Sequence, residues 1–180
     1  MVKRHSVQGL LAAIVLALAA TPALAAGAED DWVALSDAAY ANDATAMVKL
    51  LAAGAKPDVP HQAHITTWSA LCVTVIKSEL PLADLLLHYG AGINNQDNNG
   101  GYTPLMAAAN AGHADSVLFL LQHGAKTNLK DHKGATALDW ALRQSDSDHQ
   151  VVAELLKTHG AVKGAGAPPV ADDATPAAKP

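Results

Sequence analysis

The sequence contains little cysteine, few aromatic residues and no excess of positive charge. Cys72 is the single cysteine of the 180 residues, which excludes an intramolecular disulfide framework or a cysteine-rich zinc module. The formal net charge of −5 argues against nucleic acid as the main partner. The sequence has only three Trp, three Tyr and one Phe but many Ala and Leu residues. This composition favours small, closely packed helices over a sandwich or barrel. The length predicts one domain of ordinary size.

The N-terminus has the three parts of a secretory signal peptide. A basic region with Lys3 and Arg4 precedes a short apolar run, and an Ala-Leu-Ala segment at 23–25 suits a cleavage site. The apolar run of roughly a dozen residues is shorter than the about 20 that span a bilayer. We therefore predict a signal peptide over residues 1–25, with an uncleaved membrane anchor as the alternative.

Export would determine both the charge and the compartment of the mature protein. We expect cleavage after Ala25, with Ala28 as the second choice, and the loss of Lys3 and Arg4 would change the net charge from −5 to −7. The predicted location is a bacterial periplasm, an oxidising compartment in which an unpaired cysteine is safest when buried. No membrane span is expected after cleavage. At the other end, residues 163–180 are rich in Ala, Pro, Gly and Asp, and we predict a disordered tail there.

Between these segments the chain repeats itself. A leucine-rich segment ending in Gly-Ala recurs four times, and its glycines are 36, 34 and 36 residues apart: Gly54, Gly90, Gly124 and Gly160. A second short helical segment begins about 21 residues before each of the first three glycines. The fourth copy carries three extra residues near 145–147. The pattern predicts four helix-turn-helix units.

The third copy resembles the ankyrin repeat. It matches the pattern D-x-x-G-x-T-P-L-x-x-A-A-x-x-G-H with one extra residue in the turn, at Asp97, Gly101, Thr103, Pro104, Leu105, Ala108, Ala109, Gly112 and His113. In the first two copies the segments 33–36 and 69–72 replace T-P-L-H, and the glycine between the helices is missing. Thr103 can cap a helix that begins with Pro104, and Gly112 suits the turn between the helices.

The resemblance implies an all-α repeat solenoid of about four ankyrin repeats, in which helix-turn-helix pairs are joined by β-hairpin loops. The repeat domain is expected over residues 32–161, with approximate repeat boundaries at 32–55, 56–91, 92–125 and 126–161. Stacked repeats share one continuous core. The first and last copies have the character of caps.

The chemical candidates favour structural roles. Cys72 could be a nucleophile, but its repeat position implies burial. His61 and His64 could bind a metal, although their spacing lacks the helical i, i+4 relation and no further ligand follows at metal-binding spacing. The remaining repeat-position histidines are interpreted as structural: His113, His123, His149 and His159. The acidic segment 146–148 is interpreted as a solvated loop, with a contact for a basic partner as the alternative.

The resemblance also implies binding of a protein through the hairpin tips and the concave face. Trp32, Trp68 and Tyr102 share the position before the T-P-L-H segment, where the fourth copy has Ala135, and we predict that they form an aromatic contact stripe. The exposed ends of the first helices add four candidates: Tyr40, Lys77, Asn110 and Arg143. The hairpins add the remaining ones: His61, His64, Asn95, Gln96, Asn98, Asn99, Lys130, His132 and Lys133.

These features predict a non-enzymatic, monomeric scaffold without a cofactor that binds another protein in the periplasm. Exported bacterial ankyrin proteins that it resembles include some linked to catalase activity and oxidative-stress resistance and some that neutralise toxins. The residues do not choose between these two roles. A periplasmic metal- or small-ligand-binding protein that uses His61 and His64 is the alternative.

Overall fold

The computed structural model describes residues 28–58, 68–97 and 100–164. The predicted signal peptide lies outside these residues, and so does the predicted tail apart from Lys163 and Gly164. The described residues form eight α-helices and no β-strand: α1 (Ala28–Ala41), α2 (Ala44–Ala52), α3 (Ala70–Ile76), α4 (Leu80–His88), α5 (Pro104–Asn110), α6 (Ala114–Gln122), α7 (Ala137–Ala141) and α8 (Ser147–Thr158).

The helices form four consecutive pairs that stack side by side. Each odd-numbered helix packs on the even-numbered helix that follows it, and the first helices of successive pairs also pack together, α1 with α3, α3 with α5 and α5 with α7. Because each pair buries its apolar face against its neighbours, the core is continuous along the stack. This architecture confirms the predicted all-α repeat solenoid.

The same positions in each repeat build this core. One buried leucine recurs in all four first helices, at Leu35, Leu71, Leu105 and Leu138. In α5 the small side chains at 107–109 are fully enclosed, which lets the helices approach closely. Helices α3, α5 and α7 are therefore buried on nearly all sides and only their C-terminal ends reach the surface, whereas α1 also exposes Asp37.

Local side-chain chemistry starts these short helices. The Thr103 hydroxyl accepts a hydrogen bond from the Met106 N–H at 3.2 Å, as the sequence predicts, and Pro104 follows in the first helical turn. Ser69 caps α3 in the same way. At α7, Thr136 and Asp139 form a reciprocal capping box. Each cap satisfies backbone N–H groups that a helix leaves without a partner inside the helix.

The turns between the paired helices of the first three repeats each contain a left-handed residue. Gly112 has a φ of 72° in the third repeat, as expected. The first two repeats lack this glycine and use Asn42 at 53° and Ser78 at 58° instead. A left-handed conformation costs a residue with a Cβ roughly 1–2 kcal/mol, although Asn tolerates it better than most. The backbone geometry of the repeat is thus kept where the glycine is absent.

The expected β-hairpin loops are held by isolated bonds rather than by strand ladders. In the second loop the Asp97 N–H donates to the Tyr102 carbonyl at 3.0 Å, and in the third the Asp131 N–H donates to the Ala135 carbonyl at 2.9 Å. The His132 N–H then joins the third loop to the Gly100 carbonyl of the second at 2.8 Å. Such single bonds are too few to define strands.

The three extra residues of the fourth repeat lengthen a helix. Helix α8 has 12 residues, whereas α2, α4 and α6 have nine each. The acidic segment that we interpreted as a loop is exposed, but Asp146 is the N-cap of α8 and residues 147–148 lie in its first turn. The physical reason is that the Asp146 carboxylate accepts N–H groups at the helix start, from Asp148 at 3.1 Å and from His149 at 3.0 Å.

A short segment after α8 closes the end of the stack. We name residues 161–164 the C-terminal strap. The Thr136 hydroxyl donates to the Val162 carbonyl at 2.8 Å, and the Gly164 N–H donates to the Asp139 carboxylate at 2.6 Å. Lys163 and Gly164, which the sequence assigned to the tail, therefore lie on the fourth repeat.

Candidate functional site

An aromatic ladder crosses three repeats. The rings of Trp68 and Tyr102 stack with centroids 5.6 Å apart, and Tyr102 meets Trp140 edge-on at 5.0 Å. The guanidinium carbon of Arg143 lies 4.6 Å from the centroid of the Trp140 ring, a cation–π distance. We use "aromatic ladder" for the three rings. Their contacts join repeats two, three and four along the side that carries the loops.

The predicted aromatic contact stripe is wrong in one respect, because two of its three side chains, Trp32 and Tyr102, are buried. Trp32 is 5% exposed and Tyr102 is 9% exposed, so neither ring offers much area to a partner. The Tyr102 ring is covered by Trp68 and Trp140 of the neighbouring repeats. Only Trp68 keeps partial exposure. Whether Trp68 contacts a partner stays a prediction.

Sequence reasoning missed the third ring of the ladder. The fourth repeat has Ala135 at the stripe position, and its ring comes instead from Trp140, five residues later and in α7. The indole Nε1 donates to the Asp131 carboxylate at 3.1 Å, which fixes the ring orientation. The sequence did contain a signal for this ring, because Trp140 aligns with Ala107 of the third copy, so that a large aromatic side chain replaces a small one. Its contact with Tyr102 depends on how the repeats stack.

The four predicted helix-end candidates do lie together. Tyr40, Lys77, Asn110 and Arg143 stand at or just beyond the C-terminal ends of α1, α3, α5 and α7, and we name them the helix-end row. Tyr40 is 42% exposed and Lys77 is exposed, whereas the other two are partly buried. Partial burial raises the pKa of the Tyr40 hydroxyl, with smaller contributions from Cys72 and Asp37. This phenol therefore stays a neutral hydrogen-bond donor.

Contacts between repeats hold this row in place. The Lys77 ammonium donates to the carbonyl of Tyr40, and His149 Nε2 lies 2.9 Å from the carbonyl of Asn110. The other ring nitrogen of His149, Nδ1, lies 2.8 Å from the Asp146 carboxylate. The helix ends of one repeat are thus capped by side chains of the next, which satisfies carbonyls that the helices leave open.

Buried or half-buried carboxylates bind backbone N–H groups in the described parts of the second and third loops. Asp97 accepts the N–H groups of Gly100 at 2.9 Å and Tyr102 at 3.0 Å. Asp131 accepts those of Lys133 at 2.9 Å and Ala135 at 2.8 Å. The bonds of Asp131 fix the turn of the third loop before any partner arrives, which lowers the entropy cost of binding.

The structure places only some of the predicted loop candidates. Lys130, His132 and Lys133 are exposed at the third loop, and Asn95 and Gln96 are exposed at the second. The Gln96 amide also donates to the Lys130 carbonyl at 2.7 Å. Four candidates lie outside the described residues and stay predictions: His61, His64, Asn98 and Asn99.

The environment of Cys72 does not suit a nucleophile. Its side chain is buried, and desolvation raises the pKa of the thiol to about 12. The nucleophilic form is the thiolate, which this environment disfavours. In the described part of the chain, no three His, Cys, Asp or Glu side chains gather as a metal site would require.

The repeat histidines serve the fold where the structure describes their bonds. His123 and His159 follow the ends of α6 and α8, and the Nδ1 atom of each lies 2.8 Å from the carbonyl four residues earlier. A histidine at this end of a helix also interacts favourably with the helix dipole. His149 is buried between repeats three and four, as described above.

Comparison with known proteins agrees with this architecture. The family described as ankyrin repeats (3 copies) matches residues 35–131 and 75–166. The ankyrin repeat and SAM domain-containing protein 6 of Rattus norvegicus is 35% identical over 82 residues, 46% of this chain and 9% of the relative. The E3 ubiquitin-protein ligase hecd-1 of Caenorhabditis elegans is 32% identical over 143 residues, 77% of this chain and 5% of the relative.

A human relative gives the same result. Ankyrin repeat and SOCS box protein 6 of Homo sapiens is 34% identical over 83 residues, 46% of this chain and 20% of the relative. The chain thus spans between 5% and 20% of these three relatives, so the likeness concerns their repeats. Among the described helices, none combines the length and apolarity needed to cross a bilayer. The repeat pattern, the stacked helix pairs and the family match together establish that this chain belongs to the ankyrin repeat family.

Proposed function

We propose that this chain is a non-enzymatic scaffold that binds another protein. The observation that carries this proposal is the helix-end row, in which four consecutive repeats present one side chain each along a single edge. Contacts between repeats fix that edge, and a fixed surface loses little entropy on association. The tip of the third loop and the partly exposed Trp68 extend the surface on the loop side.

The partner is expected to contact side chains of several repeats at once. Tyr40 is the aromatic residue of the row and is 42% exposed. Aromatic side chains and arginine are enriched among the residues that dominate binding energies. Asn110 adds its side-chain amide, and its backbone carbonyl already lies 2.9 Å from His149 Nε2. A partner that spans the row would recognise both the spacing of the repeats and the identity of these side chains.

Affinity capture with two matched double variants tests the surface. Tyr40→Ala/Asn110→Ala alters the helix-end row, and Leu118→Ala/Val151→Ala alters exposed apolar positions on α6 and α8. We expect the first variant to recover at least about tenfold less partner, since losing central contacts costs roughly 1–2 kcal/mol or more. The second should behave as wild type. Equal recovery with both variants, at unchanged thermal midpoints, would refute the proposed surface.

We further propose that the chain acts in a bacterial periplasm after export. The support is the signal-like composition of residues 1–25. Helix α1 begins at Ala28, so cleavage after Ala25 leaves this helix whole, whereas cleavage after Ala28 removes its first residue. Cell fractionation and the intact mass of the purified protein test this step. A full-length mass in the cytoplasmic fraction would contradict it.

Two specific roles follow from the resemblance to exported ankyrin proteins, and a deletion strain separates them. Loss of catalase activity together with peroxide sensitivity would support oxidative-stress protection. Sensitivity to a co-expressed toxin, reversed by the wild-type chain, would support an immunity role. In either case the Tyr40→Ala/Asn110→Ala variant is expected to fail in complementation where the control variant succeeds.

A further inference from the structure

The exposed charges of the described residues are unevenly distributed over the solenoid. Six exposed carboxylates lie on the second helices of the pairs or at their N-terminal caps: Asp43, Asp84, Asp115, Asp146, Asp148 and Glu154. Only Lys49 and Lys157 offset them on these helices. Five exposed lysines lie instead in the loops that follow the second helices: Lys56, Lys126, Lys130, Lys133 and Lys163. The acidic chain therefore has a cationic loop side.

The exposed basic residues are densest at the tip of the third loop. Lys130, His132 and Lys133 are exposed within four residues of one another. The C-terminal strap adds Lys163, because the backbone of Gly164 packs so closely on the third loop that a Cβ there would lie 2.0 Å from the Gly134 carbonyl oxygen. We name Lys130, His132, Lys133 and Lys163 the basic tip.

Two carboxylates of the described residues near the basic tip, Asp131 and Asp139, are turned inward. Asp131 is 5% exposed and binds two backbone N–H groups and the Trp140 indole. Asp139 is buried and binds Thr136 and Gly164. Neither of these two carboxylates is exposed to an approaching partner, whereas the lysines of the basic tip are exposed. Because these carboxylates also fix the turn and the strap, the cations are presented from a rigid backbone.

We propose that the basic tip binds an acidic segment of the partner protein. The proposal rests on the proposed scaffold function and adds the chemistry of the partner. The acidic second helices repel such a segment while the basic tip attracts it, so the field of the molecule orients the encounter. The third loop is joined to the second by the His132 N–H, which donates to the Gly100 carbonyl at 2.8 Å. The bound segment is expected to lie over the third loop and the C-terminal strap.

Binding of a fluorescein-labelled oligoglutamate peptide to the purified full chain tests the proposal. Fluorescence anisotropy gives the Kd at low and at physiological ionic strength for two charge-matched double variants, Lys130→Glu/Lys133→Glu and Lys49→Glu/Lys157→Glu. Both change the net charge by the same amount. We expect the first to raise the Kd at least about tenfold and the second less than about twofold, and added salt to weaken wild-type binding because it screens exposed charges.

Several outcomes would overturn the proposal. Equal weakening in both variants would mean that net charge, not the basic tip, attracts the peptide. Absence of wild-type binding at low salt would also overturn the proposal. Tighter binding of phosphatidylglycerol vesicles or single-stranded RNA, with the same dependence on the basic tip, would overturn it as well, because the ligand would then not be a protein segment. Loss of partner capture only in Tyr40→Ala/Asn110→Ala would sustain the helix-end surface even if the peptide test fails. The two proposals therefore fail separately.

Discussion

Tyr102 has a structural task because it lies between two other aromatic rings. Trp68 stacks on one side at 5.6 Å and Trp140 meets the ring edge-on at 5.0 Å. Aromatic pairs in such arrangements contribute about 0.5–1.5 kcal/mol beyond the area that they bury. The ring thus connects the second and fourth repeats through the third.

Replacing Tyr102 with Ala should destabilise the protein by about 3 kcal/mol, since truncating a buried aromatic ring leaves a cavity and removes its contacts. Urea denaturation followed by circular dichroism measures the change. Tyr40→Ala is the matched control, because its side chain is 42% exposed and a surface substitution usually stays within about 0.5 kcal/mol. Similar midpoints for both variants would contradict a structural role of the aromatic ladder.

Cys72 should be almost inert toward thiol reagents in the folded protein. Its pKa of about 12 compared with the ordinary 9.0 lowers the thiolate fraction by about 10³ at mildly alkaline pH, and burial blocks access as well. Ellman's reagent at about pH 8 should therefore react at least about 10³-fold more slowly in native than in denatured protein. A Cys72→Ser/Ser147→Cys variant places a thiol at an exposed position and should react fast. A rapid native reaction at Cys72 would reopen a catalytic role.

The same raised pKa has a consequence for stability. The unfolded thiol ionises near 9.0 while the folded one stays protonated up to about 12. The contribution of Cys72 is therefore fully present below about pH 9 and is lost as the pH rises toward 12, because the unfolded state then binds fewer protons. In Cys72→Ser this alkaline part of the stability profile should be absent.

The local structural role of a residue could be predicted from the sequence more readily than its exposure to solvent. The Thr103 cap and the Gly112 turn depend on local chemistry, and both are confirmed. Burial of Tyr102 depends on the rings of other repeats, which no local pattern specifies. The ladder contact of Trp140 has the same origin, so the sequence placed an open stripe where the structure has packed rings.

At the scale of an element, the extra turn of α8 changes the contact between the last two repeats. It brings Asp146 to the helix start, where the carboxylate binds both the backbone N–H and the ring of His149. Gly112 leaves room for that ring, since a Cβ there would lie 2.8 Å from a carbon of the imidazole. A tolerated insertion and a missing side chain together allow one histidine to connect two repeats.

The charge of Asp146 should stabilise the protein in a pH-dependent way. The backbone N–H and then the side chain of His149 lower the pKa of this carboxyl. Its contribution is therefore present above the usual value near 4 and is lost as the pH falls through the lowered pKa. Asp146→Asn keeps a good N-cap but loses the charge.

Thermal midpoints of wild type and Asp146→Asn, measured from about pH 7 down to about pH 2.5, should differ at the upper end and converge at the lower end. Asp148→Asn, in the exposed first turn of the same helix, is the control for a general loss of negative charge. A difference that persists at acid pH would show that the amide disturbs the cap itself.

The number and type of helices could be predicted because the repeat shows the same signals four times. For the insertion in the fourth repeat, the position could be predicted but not the secondary structure. A three-residue excess between two helical patterns has no periodicity of its own. The acidic segment thus predicted a solvated loop. In the structure the carboxylate of Asp146 satisfies N–H groups at the start of α8, and this helix is three residues longer than α2, α4 and α6.

At the scale of the whole molecule, the repeats are joined by one recurring loop contact. The Asn94 side-chain oxygen accepts the Lys126 N–H at 2.7 Å, and the Asn128 side-chain oxygen accepts the Val162 N–H at 2.8 Å. The C-terminal strap therefore occupies the position that the next repeat's loop would take. In a stack held by nearest-neighbour contacts, such an end segment protects the last repeat without reaching the others.

Gly164→Ala should accordingly loosen the fourth repeat alone. The new Cβ would lie 2.0 Å from the Gly134 carbonyl oxygen and 3.0 Å from the Asp139 carboxylate, so the strap must move away. Its N–H bond to Asp139 is lost as a result, and the buried carboxylate keeps fewer partners. Hydrogen exchange should become faster in α7 and α8, whereas α1 to α4 keep wild-type rates because their neighbours are unchanged. Lys163→Ala changes the adjacent exposed side chain without filling that space and serves as the control. Faster exchange throughout all eight helices would instead mean that the described repeats unfold as one unit, and the strap would then be part of a single cooperative core.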